Sequence, residues 1–296
     1  MKCIQSGLLL CALLGTPLSV AAQDVAPVPP LPPPAAQQTP PPPAPPDQPA
    51  ASDPDIPVNP LQPDFTLVGL PTTLRLPKGK SAFRVSHRFT RPLGRGDFGD
   101  LLSDFFGFDS GAQTGLEFRY GLWSGTQLAI HRTSDKAIQL LGQHNFLNER
   151  DGRPLGLDFL ITLEGEDNLS EQHQSALGFV LSRSLGRAGT FYLEPIFVAN
   201  SNPFETGDEH TFMIGVGTRL RVRKSLYIVA EVTPRVAGYS PLAEQVSFAI
   251  EGRTGGHSFQ FNVSNGFGTT FGQIARGGVS GEDWFIGFNI SRKFFR

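Results

Sequence analysis

Cysteine is nearly missing from this sequence. Of 296 residues only Cys3 and Cys11 carry a thiol, and both fall in the first 22 residues, which read as a cleavable export signal. After cleavage nothing remains to make a disulfide, a thiolate zinc site or a cysteine nucleophile. An excess of charge of one sign is missing too. The 25 Lys and Arg meet 27 Asp and Glu, a net of −2, so there is no basic excess to hold nucleic acid through counterion release. Long apolar runs are absent as well. The run at residues 7–15 is far short of the roughly 20 residues a membrane-spanning helix needs, and no segment after residue 22 reaches that length. Met and Trp number 2 each, whereas Phe (24) and Gly (33) are abundant.

The amino terminus has the parts of a secretory signal: Lys2, the apolar run, a break at Thr16-Pro17, and small residues at Val20 and Ala22. Cleavage is expected between Ala22 and Gln23. A lipoprotein reading would use Cys11, but Leu10 is too large for the position before a lipidated cysteine. Residues 24–63 then hold 17 prolines among 40 residues. Such a stretch buries no core and favours an extended polyproline conformation. It reads as a solvated periplasmic leader, taken as residues 23–81. The sharper alternative is a tether to peptidoglycan or to a periplasmic partner.

From residue 82 the pattern turns to period two. Phe83, Val85, His87 and Phe89 alternate with Arg84, Ser86 and Arg88, and Leu116, Phe118 and Tyr120 with Glu117 and Arg119. Leu155 to Leu163, Phe259 to Val263 and Trp284 to Ile290 repeat the theme. These are strands with one apolar and one polar face. Twelve such runs occur, from 82–90 to 283–295. Most are 8 to 13 residues long, matching the roughly 9–11 that cross a bilayer at a tilt. Connections alternate between short (residues 122–125, 147–154, 185–189, 223–224, 254–256) and long (91–112, 165–173, 201–209, 237–244, 265–282), with 133–136 short where a long one is due. The expected fold is all-β: an antiparallel up-and-down transmembrane barrel of about twelve strands, residues 82–296, with short turns and both termini periplasmic. The chain ends Phe294-Phe295-Arg296, an aromatic finish of the kind read by the barrel-assembly machinery, and Arg292 is expected to snorkel at the rim.

Three groups of residues carry a likeness. They are His87-Arg88-Phe89 with Phe106-Gly107-Phe108-Asp109; Tyr120-Gly121-Leu122 with Arg132, Ser134 and Lys136; and Gly256 to Gln260, Ser264-Asn265-Gly266 and Gly287 to Arg292. On these the chain, over about residues 82–296, resembles a family of bacterial outer-membrane β-barrels known as domain of unknown function, family 5777. The resemblance implies an outer-membrane barrel in contact with lipid. It implies no activity and no cofactor.

If the polar faces line a lumen, the candidate lining residues are Arg84, Arg88, Arg119, Arg219, Arg221, Arg235 and Arg253 against Glu117, Asp158, Glu164, Glu194, Glu231 and Glu251. Mixed signs point to a ladder of cross-strand ion pairs; the alternative is a narrow channel attracting an anionic or polar solute. Residues 97–108 form an amphipathic segment that would lie on the membrane or fold into the mouth. Residues 265–282, with Phe267, Phe271, Gln273 and Arg276, form a candidate lid or plug. A barrel enzyme would need histidine chemistry, for which His173 and His210 at external rims are the candidates. No GxSxG motif or metal-binding histidine spacing supports it; neighbouring acids and histidines in loops are ordinarily solvated. The leading expectation is a non-enzymatic barrel with a narrow polar passage. The second is a sealed barrel anchoring the leader. The exported chain is expected to begin at Gln23 and to take up no maleimide after denaturation, whereas the uncleaved precursor takes up two labels, as intact mass spectrometry would show.

Overall fold

The computed structural model describes residues 59–204, 207, 209–240 and 243–295. The export signal, the leader as far as residue 58, Arg296, and Asp208 beside His210 lie outside them. Every predicted run becomes a strand: β1 (Ser81–Phe89), β2 (Ala112–Trp123), β3 (Thr126–Thr133), β4 (Ile138–Leu147), β5 (Gly156–Glu166), β6 (Glu171–Ser184), β7 (Gly189–Ala199), β8 (Thr211–Arg223), β9 (Leu226–Thr233), β10 (Arg235–Gly238), β11 (Gln245–Thr254), β12 (His257–Ser264) and β13 (Phe285–Phe294). β9 and β10 are two parts of one stave. Pro234 separates them, because a proline brings no N–H to the ladder. Each strand pairs antiparallel with the next stave. β1 pairs with β13 in an unbroken register from Ser81–Phe294 to Arg88–Gly287, and β8 with β9. The sheet is therefore a closed twelve-stave barrel with no free edge.

Burial alternates along every stave in the reverse of a soluble sandwich. The apolar alternate, such as Phe118, Ile130, Leu140, Leu163 and Phe261, is exposed, while the polar alternate, such as Arg88, Arg119, Gln143, Glu194 and Arg219, is buried. A wall that turns its apolar side outward and its charges inward needs lipid as its solvent. Arg292, on the outward alternate, bonds to His257 (3.1 Å) and stacks over Phe294.

The turns between staves are short at one end (residues 124–125, 148–155, 185–188, 224–225, 255–256) and mostly longer at the other (90–111, 200–210, 239–244, 265–284). Two connections at that end are exceptions, four residues each: 134–137, as the sequence indicated, and 167–170, where a long connection over 165–173 was expected but β5 runs on to Glu166 and β6 starts at Glu171. The 90–111 loop carries α1 (Phe98–Ser103) and a 3-10 segment (Phe105–Ser110), and the 265–284 loop carries α2 (Phe271–Ala275).

One boundary must be corrected. The leader was expected to run free to residue 81, but the segment from residue 59 enters the barrel, with Phe65, Leu67, Val68, Leu70, Leu74 and Leu76 buried, and leads out through the exposed residues 77–79 to β1. It forms a hairpin that enters from the short-turn end, turns at Val68-Gly69 and returns. Its limbs are joined by Leu67 N–H to Leu70 O (2.7 Å) and Thr72 N–H to Phe65 O (2.9 Å). Glycines in the wall admit it. A Cβ on Gly217 would lie 2.2 Å from Leu67 Cδ1, and one on Gly121 2.2 Å from the Pro77 carbonyl of the returning limb.

Closure is directly testable, since Val85 and Ile290 are register partners. Opposed residues of an antiparallel pair stand about 4.5–5.5 Å apart at Cα, within disulfide range. The double variant Val85→Cys/Ile290→Cys is expected to oxidise to a faster-migrating circular species on unreduced, heated gels. Val85→Cys/Ile286→Cys, two residue pairs removed on the same face, is not.

Candidate functional site, the occupied lumen

The hairpin is held by polar side chains of the wall, working on its backbone. At the short-turn end Tyr227 Oη donates to Pro60 O (2.8 Å) and Thr190 Oγ1 to Leu61 O (3.2 Å), while Thr73 and Ser182 share a hydroxyl bond of 2.6 Å. On the returning limb Arg75 reaches Asn145 (2.5 Å) and Asp151 (2.8 Å). Deeper in, Asp64 pairs with Lys293 (3.2 Å) and accepts from Ser291 (2.5 Å), and Phe65 lies under the Arg119 guanidinium at 5.2 Å.

The tip is gripped most tightly. The Glu231 carboxylate accepts from the N–H groups of Val68 (2.9 Å), Gly69 (2.9 Å) and Leu70 (3.1 Å). Three converging backbone donors on one buried carboxylate are charge-assisted bonds of the stronger sort. The carbonyls are taken up in turn. Arg219 donates to Thr66 O (2.6 Å), Gln260 to Leu67 O (2.9 Å), Asn289 to Val68 O (3.0 Å) and Gln143 to Thr72 O (2.8 Å). Arg84 adds a bond to the Thr66 hydroxyl (2.8 Å).

From the long-loop end α2 descends onto the same point. Thr270 caps it, and Glu164 binds the start of the helix, accepting from Thr270 Oγ1 (2.6 Å) and Gly272 N–H (3.0 Å). Gln139 accepts from Phe271 N–H (2.8 Å). Phe271, Ile274 and Ala275 join Leu67, Val68 and Leu70 in one apolar cluster with Leu141, Leu160, Ile196 and Met213 of the wall. The contact is close: a Cβ on Gly69 would stand 3.3 Å from Ile274 Cδ1. Between the inserts and the wall, a cavity bounded by Thr66, Arg84, Glu117, Arg119, Gln139 and Phe271 leaves ≈ 10 Å³, room for about one water.

All the predicted lining positions lie on the inward alternate, and Arg84, Arg88, Glu117, Arg119, Asp158, Glu164, Glu194, Arg219, Glu231, Arg235 and Glu251 are buried there. Arg221 and Arg253 sit at the wetter short-turn end, where Arg221 donates to Lys224 O (3.3 Å). The ladder of ion pairs forms only in part. Glu117 takes Arg84 (3.3 Å) and Arg119 (3.1 Å), and Glu251 takes Arg219 (2.9 Å). Arg235 turns to Glu244 (3.8 Å) and Arg88 to Asn289 (3.0 Å). Asp158 binds the amides of Gln143 (2.7 Å) and Asn145. The inserts bring backbone donors that compete for the acids, so Glu164 and Glu231 serve the inserts and not the arginines.

Of the loop residues, Phe271 is in the core, Phe267 packs on Phe285 (4.4 Å), Gln273 donates to Asp135 (3.0 Å) and Arg276 pairs with Glu166 (2.6 Å). At the rim Lys136 donates to Asp167 (3.0 Å) and holds that carboxyl below its ordinary range. His173 meets Leu169 O (2.9 Å), and His210 accepts from Asn200 N–H (3.1 Å). The residues the sequence reading passed over are the neutral amides, Gln139, Gln143, Gln260 and Asn289, and with them Lys293 and the whole 59–80 segment. The amides share the inward alternation with the charged positions, which was the one signal available.

The model of the membrane-bound β-barrel domain family, domain of unknown function 5777, matches residues 64–294. The chain belongs to this family. The match takes in the hairpin tip as well as the staves, so the insert is part of the domain. No curated relative matches the sequence. Among solved structures the barrel is similar to a mutant Rhodopseudomonas blastica porin (10% identity, 62% of this chain and 55% of that one, TM-score 0.34). It is also similar to the NanC porin (8%, 73% and 99%, 0.47) and to an outer membrane channel from Pseudomonas putida F1 (11%, 74% and 97%, 0.46). The chain spans little more than half of the first. At such identities these likenesses say nothing of what passes through the barrel.

Replacing Glu231 by Gln removes the charge that gathers three N–H donors. A loss of about 1–3 kcal/mol in docking of the tip is expected. Amide exchange at Val68, Gly69 and Leu70 would accelerate roughly 5- to 150-fold, while amides of β5 and β6 stay protected in hydrogen-exchange mass spectrometry.

Proposed function

We propose that this membrane barrel is a gated polar channel of the outer membrane, exported through its signal, with short turns and both ends in the periplasm, and shut in the described state by its own inserts. One observation carries the reading. The lumen is filled by two chain segments that enter from opposite ends and meet at an apolar belt, inside a wall whose inward side is otherwise mostly polar. Either segment can withdraw without breaking a stave. Support also comes from buried wall groups with no hydrogen bond to the protein: both Glu194 carboxylate oxygens, both His131 ring nitrogens and the Asn262 amide. A wall packed on protein alone would satisfy such groups, whereas polar groups left to water or a solute suit a passage.

A second reading is favoured by the hairpin's entry limb. Pro60 and Leu61 are bound at the short-turn end, where the proline-rich segment joins them. In that reading the barrel is a sealed anchor, and the leader is the working part, holding peptidoglycan or a periplasmic partner. No chemistry at His173 or His210 is part of either reading.

Planar bilayers separate the two. The full chain is expected to conduct little. A variant lacking residues 59–72, with residues 269–277 replaced by a Gly-Ser linker, is expected to open stepwise conductances. If that variant still migrates as a folded, heat-modifiable barrel and stays silent under every salt and solute tried, the channel reading fails and the anchor stands.

A further inference from the structure

Phe98 (72% exposed), Phe105 (60%), Leu102 (54%) and Phe108 (51%) crowd eleven residues of the β1–β2 loop, and more than half of each is left exposed. The segment is amphipathic by construction. Asp97 and Asp100 close a capping box, each side chain accepting from the other's backbone (2.9 and 3.1 Å). Phe98 and Leu102 then follow at i and i+4 on one face, and Phe105 lies exposed just past the end of the helix. Asp100, Ser103 and Asp104 fall on the other, bordering a polar hollow of ≈ 580 Å³ shared with Arg91 and Arg95. Arg91 fastens the loop, pairing with Asp104 (2.5 Å) and donating to Arg95 O (2.8 Å). A six-residue helix is too short to hold itself in water, so its apolar face needs a partner.

The chain reversal after α1 decides which way that face looks. Phe105, Phe106 and Gly107 all have positive φ (48°, 58° and 96°), a costly run for two phenylalanines. It folds Phe108 back against the barrel. Phe108 meets Phe89 at 4.2 Å, Phe89 meets His87 at 4.6 Å, and His87 stacks on Phe288 at 4.8 Å. His87 and Phe288 belong to the outward, lipid-facing alternates of β1 and β13, and Phe89, on the outward alternate of β1, is buried against Phe108. The mouth, by contrast, is already taken by α2.

We propose that residues 98–108 are a membrane anchor, lying in the lipid leaflet at the long-loop end with Phe98, Leu102, Phe105 and Phe108 among acyl chains. The occupant is lipid because the apolar face continues the barrel's own lipid-facing surface through an unbroken run of rings, Phe288, His87, Phe89, Phe108 and Phe105. Its acidic face turns to the polar hollow, as an interfacial helix requires. The anchor pins the loop beside the barrel and keeps it off the mouth.

The test places a fluorophore on the face. In a Trp123→Phe/Trp284→Phe background, Leu102→Trp is reconstituted as the full chain into phosphatidylcholine vesicles, with or without bromine on the acyl chains. Phe118→Trp, on the lipid-facing wall, is the reference. Blue-shifted emission, quenching by bromolipid within twofold of the reference, and weak quenching by acrylamide are expected. Emission at water-exposed wavelengths with strong acrylamide quenching would overturn the proposal. So would shielding from both quenchers, which would mean that protein covers the face. A second variant, Phe98→Asp/Leu102→Asp, leaves the wall untouched. It is expected to fold and to make the loop cleavable by added protease in vesicles where the parent chain resists; equal resistance would also count against lipid contact.

Discussion

A closed wall of twelve tilted strands encloses more room than its own side chains can fill, whereas eight strands leave an interior just wide enough to fill. The rest of this structure follows from that excess. The space is taken by backbone, a hairpin from one end and a helical turn from the other. Backbone brings N–H and C=O groups that need partners when buried. The inner wall meets that demand with Glu231 under three amides, Glu164 at the start of α2, and Gln143, Gln260 and Asn289 on carbonyls.

The lumen is consequently layered. Polar wall side chains bind the inserts' backbone, and the inserts turn Leu67, Val68, Leu70, Phe271 and Ile274 toward each other and toward a few apolar wall positions. Two kinds of stability coexist. The staves share continuous ladders and open together, while each insert is a local unit whose loss breaks side-chain bonds and no ladder. Buried pairs such as Arg219–Glu251, neither partner accessible to solvent, gain stability only with both members in place. They act as fixed points around which an insert can dock in one position.

The outer surface obeys the opposite rule, with apolar side chains on the exposed alternate and charges gathered at the ends. The β1–β2 loop extends that surface beyond the staves through stacked rings, so the lipid-facing side of the molecule is larger than its barrel.

Much of the fold was legible in the sequence because strand side chains alternate with period two and the wall divides two unlike media. Strand positions, the stave count and the contrast of short and long connections follow from that pattern, as do the inward places of Arg84, Glu117, Glu194 and Glu231. The texture of the loop at residues 265–282 suggested a lid or plug, and of its residues Phe271 enters the lumen core while Arg276 stays at the rim on Glu166. Residues 59–80 were not legible. Pro60, Pro63, Pro71 and Pro77 give them the composition of the leader, they have no periodicity, and their partners lie far along the chain, 163 residues away for Val68 and Glu231. Which acid faces which cation was equally hidden, since it depends on rotation around the barrel and on what fills it. Local pattern determined a membrane wall with a charged interior; only tertiary structure decided that the interior is occupied, because an insert's place is set by the shape of the closed lumen and by donors and acceptors that closure alone brings together.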